Sequence, residues 1–187
     1  MTTLALIGLI AGVATIIVLW FISGYNRLVH FKALVDEGWS GIDVQLKRRY
    51  DLIPNLVATV KQYSIHERGI FEEVARMRSL AMNATGVQEK AQAEAGLTQA
   101  LRTLFAIVEN YPDLKANENF LALQKELSVI EHEIQLSRRY YNGTARNYNT
   151  AVQTFPTSII ASFTGFAKVP YFELSTPAER ETPKVNF

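Results

Sequence analysis

The segment QLKRRYDLIPNLVATVKQYSIHE, residues 45–67, reads as helix on both sides of a proline. Pro54 follows a basic cluster, Lys47-Arg48-Arg49, and an acid, Asp51. Proline inside a helix removes one hydrogen bond and clashes with the preceding turn, at a cost of about 3 kcal/mol or more. Two arrangements meet that constraint. Asp51 caps a new helix with Pro54 in its first turn, where amide donors are free anyway; or one helix kinks at Pro54. Either makes the segment a joint. Arg48 and Arg49 are expected on an exposed face, Asp51, Pro54 and Asn55 set the bend, and Leu52, Ile53 and Leu56 pack it.

Upstream of the joint, Leu28, Phe31, Val35, Trp39, Ile42, Leu46 and Ile53 fall three, four or seven positions apart. That is one face of a helix, predicting a rod that runs to about residue 52. Downstream the period resumes at Leu56, Val60, Tyr63, Ile70, Val74 and Met77 and stops at Asn83-Ala84-Thr85-Gly86, residues that end helices. A third helix is expected over 87–109, alanine-rich at first and then carrying Leu97, Leu101, Leu104 and Val108. The longest runs from about 117 to 155 through Phe120, Leu127, Ile134, Tyr141, Tyr148 and Val152. At about 60 Å it needs partners along its length. The fold class is therefore all-α: an N-terminal transmembrane helix, an antiparallel, coiled-coil-like bundle of long helices, and a mostly irregular C-terminal tail.

Residues 4–24, LALIGLIAGVATIIVLWFISG, are apolar or small, and the first 26 residues carry no charge. At 1.5 Å per residue this stretch crosses a hydrocarbon core of roughly 30 Å, so the lipid bilayer is its expected partner. Trp20, Phe21 and Tyr25 stand where aromatic side chains favour the interface. The start MTT is not basic, and FISGYN is a poor cleavage site, so a retained anchor is expected rather than a signal peptide. Arg27 and Lys32 follow the segment and no basic residue precedes it. This places the N-terminus outside and the remainder in the cytoplasm, in a single-pass protein of the bacterial inner membrane. Gly8 and Gly12 form a small-xxx-small pattern that allows close packing of membrane helices. The expected divisions are an anchor at 1–24, a bundle at 25–155 and an apolar, proline-containing tail at 156–187. The final residues of that tail read as extended and weakly ordered.

Of 187 residues, 19 are Lys or Arg and 18 Asp or Glu, a net charge of +1 that gives no drive toward nucleic acid. With no cysteine there is no disulfide, thiolate metal site or thiol nucleophile. No Gly-x-Ser-x-Gly elbow or glycine-rich phosphate loop occurs. His66, Glu67 and His132 are the candidate metal ligands, but neither Glu-x-x-His nor His-Glu-x-x-His spacing is present. No catalytic residue, cofactor or metal is expected. Tyr140, Tyr141 and Tyr148, with Asn142, Asn147 and Asn149 nearby, suit half-buried core positions or a subunit interface. Ile159, Ile160, Phe163 and Phe166 in the tail are too apolar for free solvent and are expected to dock on the bundle, a neighbouring subunit or the membrane surface.

The 45–67 segment, then YPDLKANENFLALQKEL, RRYYNGTARNYNTAVQTFP, IIASFTGF and PYFEL…PKVNF, together with YNRLV after the anchor, resemble the LemA family over nearly the whole chain. The resemblance implies a bacterial single-pass membrane protein with a cytoplasmic helical bundle and no established catalytic residues. Genes of that family often accompany those of membrane proteases or other envelope proteins, so the resemblance also implies envelope maintenance. The expected role is a non-enzymatic scaffold that forms a homo-oligomer at the membrane, in envelope organisation or stress. The rivals are an adaptor for a membrane protease or signalling partner and, less favoured, a metal-dependent enzyme.

Overall fold

The structure, a computed structural model, describes residues 2–64 and 67–173. His66 and the chain beyond 173, including the expected extended end, lie outside the described residues. The described residues form six α-helices and no strand: α1 Thr2–Lys61, α2 Arg68–Asn83, α3 Val87–Val108, α4 Pro112–Lys115, α5 Glu118–Gln153 and α6 Thr157–Thr164.

Of the two arrangements open at Pro54, the chain takes the continuous one. Pro54 neither ends α1 nor starts a new helix; it sits inside a single helix of 60 residues. This corrects the expectation of a rod ending near residue 52 and a second helix from Leu56 to Asn83. The break falls after Lys61, where the amides of Gln62, Tyr63 and Ser64 turn back onto the carbonyls of Thr59 and Val60. In the tail, residues 157–164 make the short helix α6. It is closed by Gly165 at φ 78°, a left-handed cap that glycine adopts without steric cost. The other boundaries fall close to those expected. Gly86, at φ 79°, separates α2 from α3. The side chain of Asn117 accepts the amide of Phe120 at 3.0 Å and so caps α5.

The chain divides into two compact units. One comprises residues up to Trp39 and Tyr140–Val169. Here α1 and α5 run antiparallel, with Gly38 against Tyr141, and Gly24 against Ile160 of α6. A Cβ on Gly38 would stand 3.1 Å from the Tyr141 Cα, so the bare glycine permits this close helix approach. Leu28, Ala151, Ile160 and Ala161 are its buried centre, with Phe31, Val152 and Phe166 packed around them. The apolar start of α1 is long enough to cross a membrane, and none of it is buried.

The second unit comprises Ser40–Arg139 and, of the described residues after Val169, 170–173. It is an up-down-up-down bundle of α1, α2, α3 and α5. Tyr63 meets Asn117 at one end, and Arg49 meets Glu131 further along, so α1 and α5 are antiparallel. Phe105 packs on Phe120 at 6.3 Å between rings while Thr98 and Glu131 meet on Arg49, so α3 runs antiparallel to α5. Leu46, Ile53, Leu56, Val60, Phe71, Val74, Leu97, Leu104, Leu127 and Ile130 are buried along its axis. At roughly 25 cal/mol per Å² of apolar surface, this axis supplies the main drive for folding the unit.

Candidate functional site

The feature that departs most from an ordinary bundle core is a buried polar cluster in the second unit. It grows out of the 45–67 segment. Arg49 follows Leu46 by three positions and Ile42 by seven, so it shares the inward face of α1. It is only 2% exposed, which overturns the expectation that Arg48 and Arg49 share a solvated face. Arg48, turned about 100° away, is exposed and donates to Gln45 at 3.1 Å. Asp51, Pro54 and Asn55 are exposed, while Leu52, Ile53 and Leu56 are buried.

Arg49 is held from two helices. Its Nη1 donates to Glu94 Oε2 at 2.9 Å, and its Nη2 reaches Thr98 Oγ1 at 3.0 Å and Glu131 Oε1 at 2.8 Å. Glu94 is 3% exposed, and its other oxygen accepts the Tyr50 hydroxyl. The same hydroxyl lies 3.3 Å from the carbonyl of Ala81, which also accepts Lys90 Nζ at 3.2 Å. Lys90 stands over the Tyr50 ring at 5.9 Å. Arg78 Nε donates to the carbonyl of Tyr50 at 2.7 Å.

Burial pushes the Glu94 carboxyl up, and the Arg49 charge and Tyr50 hydrogen bond pull it back only in part. Burial, reinforced by the Glu94 charge, pushes the Tyr50 phenol up, which keeps it a hydrogen-bond donor. Both Glu94 oxygens and both Arg49 terminal nitrogens are engaged; Arg49 Nε has no hydrogen-bond partner among the described residues. Such a cluster is suited to locking helix register, since an alternative pairing would strand a charge in the core. Beside it, α3 and α5 border a groove of about 340 Å³ lined by Leu101, Phe105, Leu127, Arg102 and the Arg49–Glu131 pair.

Glu94 and Lys90 had a signal in the sequence that periodicity carries. The buried positions of α3 include 90, 94, 97, 101, 104 and 108, so the alternating four-three step continues into its alanine-rich start. Of the metal candidates, Glu67 is half-buried and His132 is exposed on α5. No group of three His, Asp or Glu that could hold a metal ion occurs among the described residues.

In the first unit, Tyr141 and Tyr148 are buried, Tyr141 edge-on to Trp39 at 5.6 Å and Tyr148 edge-on to Phe166 at 6.5 Å. Tyr140 is exposed. Asn149 is buried in a clamp: its amide donates to the Val169 carbonyl and accepts the Val169 amide, both at 2.9 Å. Ile160 is buried, Phe166 is half-buried against Tyr25 at 5.8 Å, and Ile159 and Phe163 are exposed. Gly8 and Gly12 have nothing within 4 Å of where a Cβ would stand.

The motif that builds the cluster lies inside a match to the model of the LemA family over residues 38–187. The chain belongs to the LemA family. The LemA-family chain is 26% identical over 198 residues to magnetosome protein MamQ of Magnetospirillum gryphiswaldense, covering 92% of this chain and 71% of MamQ. It is 24% identical over 196 residues to MamQ 2 of Paramagnetospirillum magneticum, covering 91% and 70%. It is 27% identical over 160 residues to protein LemA of Metamycoplasma hominis, covering 83% and 71%. None of these names denotes an enzyme, and the apolar start of α1 fits a membrane protein.

Proposed function

We propose that this LemA-family chain is a non-enzymatic scaffold, anchored in the bacterial inner membrane by residues 4–24, that self-associates on the cytoplasmic side. One observation carries the reading. The most apolar stretch of the molecule is wholly exposed within the chain, with Leu4, Ile7, Leu9, Ile10 and Ile16 each at 60% or more. Surface of that kind calls for hydrocarbon or another copy of itself. The open glycine face at Gly8 and Gly12 leaves room for a second α1 to approach closely. Val129 and Leu136, seven positions apart and exposed on α5, offer a further contact in a closed assembly. The ionisable groups gathered in the core hydrogen-bond to one another and to backbone carbonyls, which suits a structural role. The role we assign is organisation of the envelope.

The test is mass. Full-length chain extracted in mild detergent is sized by light scattering, with negative-stain images of the same peak. A uniform ring or cage supports the scaffold. A monomer removes self-association and leaves the adaptor reading, in which a membrane protease or signalling protein is the partner. The groove beside Arg49 and Glu131, part apolar and part charged, is the observation that favours that second reading.

A further inference from the structure

The first unit carries a second apolar surface that its own core does not use. Between Arg146 and Lys168 no residue is charged. Within that stretch, Phe155, Ile159 and Phe163 follow one another at intervals of four, and they are 76%, 42% and 82% exposed. Ile159 and Phe163 share one face of α6. Ile160, turned about 100° from Ile159, is buried against Gly24, the last residue of the apolar stretch of α1. Ile159 and Phe163 on α6 are therefore fixed near the level where that stretch ends. Trp20 and Phe21, each 38% exposed, stand one turn earlier on α1.

A groove of about 350 Å³, part apolar and part polar, lies in the same unit. Its lining includes Arg27, Arg146, Asn147, Thr150 and Thr157, with Phe31 beneath the Arg27 guanidinium at 5.4 Å. Arg27 is three residues past Gly24, about 4.5 Å along the axis. If α1 leaves the hydrocarbon at Gly24, that depth falls in the headgroup layer, about 5–7 Å thick. Both arginines are exposed, and neither is in a salt bridge among the described residues.

We propose that α6 is a membrane-surface foot. Phe155, Ile159 and Phe163 sit in the upper acyl region of the leaflet beside α1, and Arg27 and Arg146 hold the phosphates of anionic lipid headgroups. An apolar ridge beside paired cations is the pattern of an element lying in the interface plane. Lipid is favoured over a protein partner because the ridge continues the exposed apolar surface of α1. The inference rests on the anchored reading above.

The chain has no cysteine, so single cysteines can be placed without background. Phe163→Cys, Val13→Cys as the anchor reporter and Asn119→Cys as the aqueous reporter are each labelled with an environment-sensitive fluorophore in full-length chain. The chain is reconstituted into phosphatidylcholine vesicles with or without phosphatidylglycerol. Quenching is read with iodide in water and with nitroxide on the upper acyl chain. The expected result is that position 163 is quenched by the lipid nitroxide and shielded from iodide, as position 13 is shielded and position 119 is not. Phosphatidylglycerol should deepen that shielding, and Arg27→Gln with Arg146→Gln should abolish the deepening. Iodide access at 163 with shielding at 13 overturns the foot and leaves the anchor standing. Access at both removes the anchor and the foot together. Shielding of 163 from both quenchers means protein covers the ridge, which also overturns the proposal. Shielding indifferent to phosphatidylglycerol overturns the role of the arginines.

Discussion

Arg78 Nε donates a 2.7 Å hydrogen bond to the carbonyl of Tyr50. Tyr50 is four residues before Pro54, so its carbonyl is the one whose helical donor the proline removes. An arginine on α2 thus supplies, from outside, the hydrogen bond missing inside α1. This accounts for a helix that continues through a proline, and it ties the motif around Pro54 to the neighbouring helix.

That pairing predicts coupling between the two positions. Arg78→Met should lower stability by about 1–3 kcal/mol, the cost of a polar group left unpaired. In a Pro54→Ala background, where the new backbone amide can donate to the Tyr50 carbonyl, the same change should cost less. Denaturant unfolding of full-length chain followed by circular dichroism measures the four-variant cycle. Additive effects would mean that Arg78 does not compensate for the proline.

Arg49 and Glu94 should behave as a buried pair. Arg49→Met alone should cost about 3–5 kcal/mol, since it leaves Glu94 in the core without its cation. Adding Glu94→Gln should recover part of that loss. The same unfolding measurement decides the matter, and a double variant no more stable than the single one contradicts the pairing.

Burial holds the Glu94 carboxyl above its ordinary value of 4.5. Between 4.5 and that raised value, the folded chain keeps a proton that the unfolded chain has released. Stability from this group therefore falls as pH rises through the window and is highest below it. Unfolding midpoints measured against pH should show a shallower fall in Glu94→Gln than in the parent. Equal slopes would show that another group sets the dependence.

Asn149 clamps the chain after α6 through two hydrogen bonds to Val169. Asn149→Leu should destabilise by about 2 kcal/mol, at about 1 kcal/mol for each bond. It should also speed hydrogen exchange of the Val169 amide in particular. Unchanged protection there would show that the clamp is dispensable.

Gly24 and Gly12 make opposite predictions on substitution. At Gly24 a Cβ would collide with Ile160 Cδ1. Gly24→Ala should therefore disturb the docking of α6, at about 1–3 kcal/mol for overpacking. At Gly12 the chain itself leaves space, so Gly12→Leu should leave the fold intact and weaken only association between copies. Light scattering and unfolding on both variants separate the effects; a Gly12→Leu chain that assembles like the parent places the contact elsewhere.

Long helices and their inward faces were legible along the chain, because a period near 3.6 depends only on local spacing. Leu28 to Leu46 and Leu97 to Val108 show this directly. The same periodicity concealed the turn after Lys61, since Val60, Tyr63 and Ile70 keep the helical step across it. It also concealed α6, whose eight residues span barely two turns. Buried polar partners were illegible for a different reason. Arg49 and Glu94 are 45 positions apart, and Tyr50 and Arg78 are 28 apart. Composition marks Arg49 as a charge that favours water, and three helices had to assemble before Glu94, Thr98 and Glu131 could make the core an acceptable place for it. Pro54 was visible as a lost hydrogen bond; the residue that replaces the bond became known only when α2 folded back beside α1.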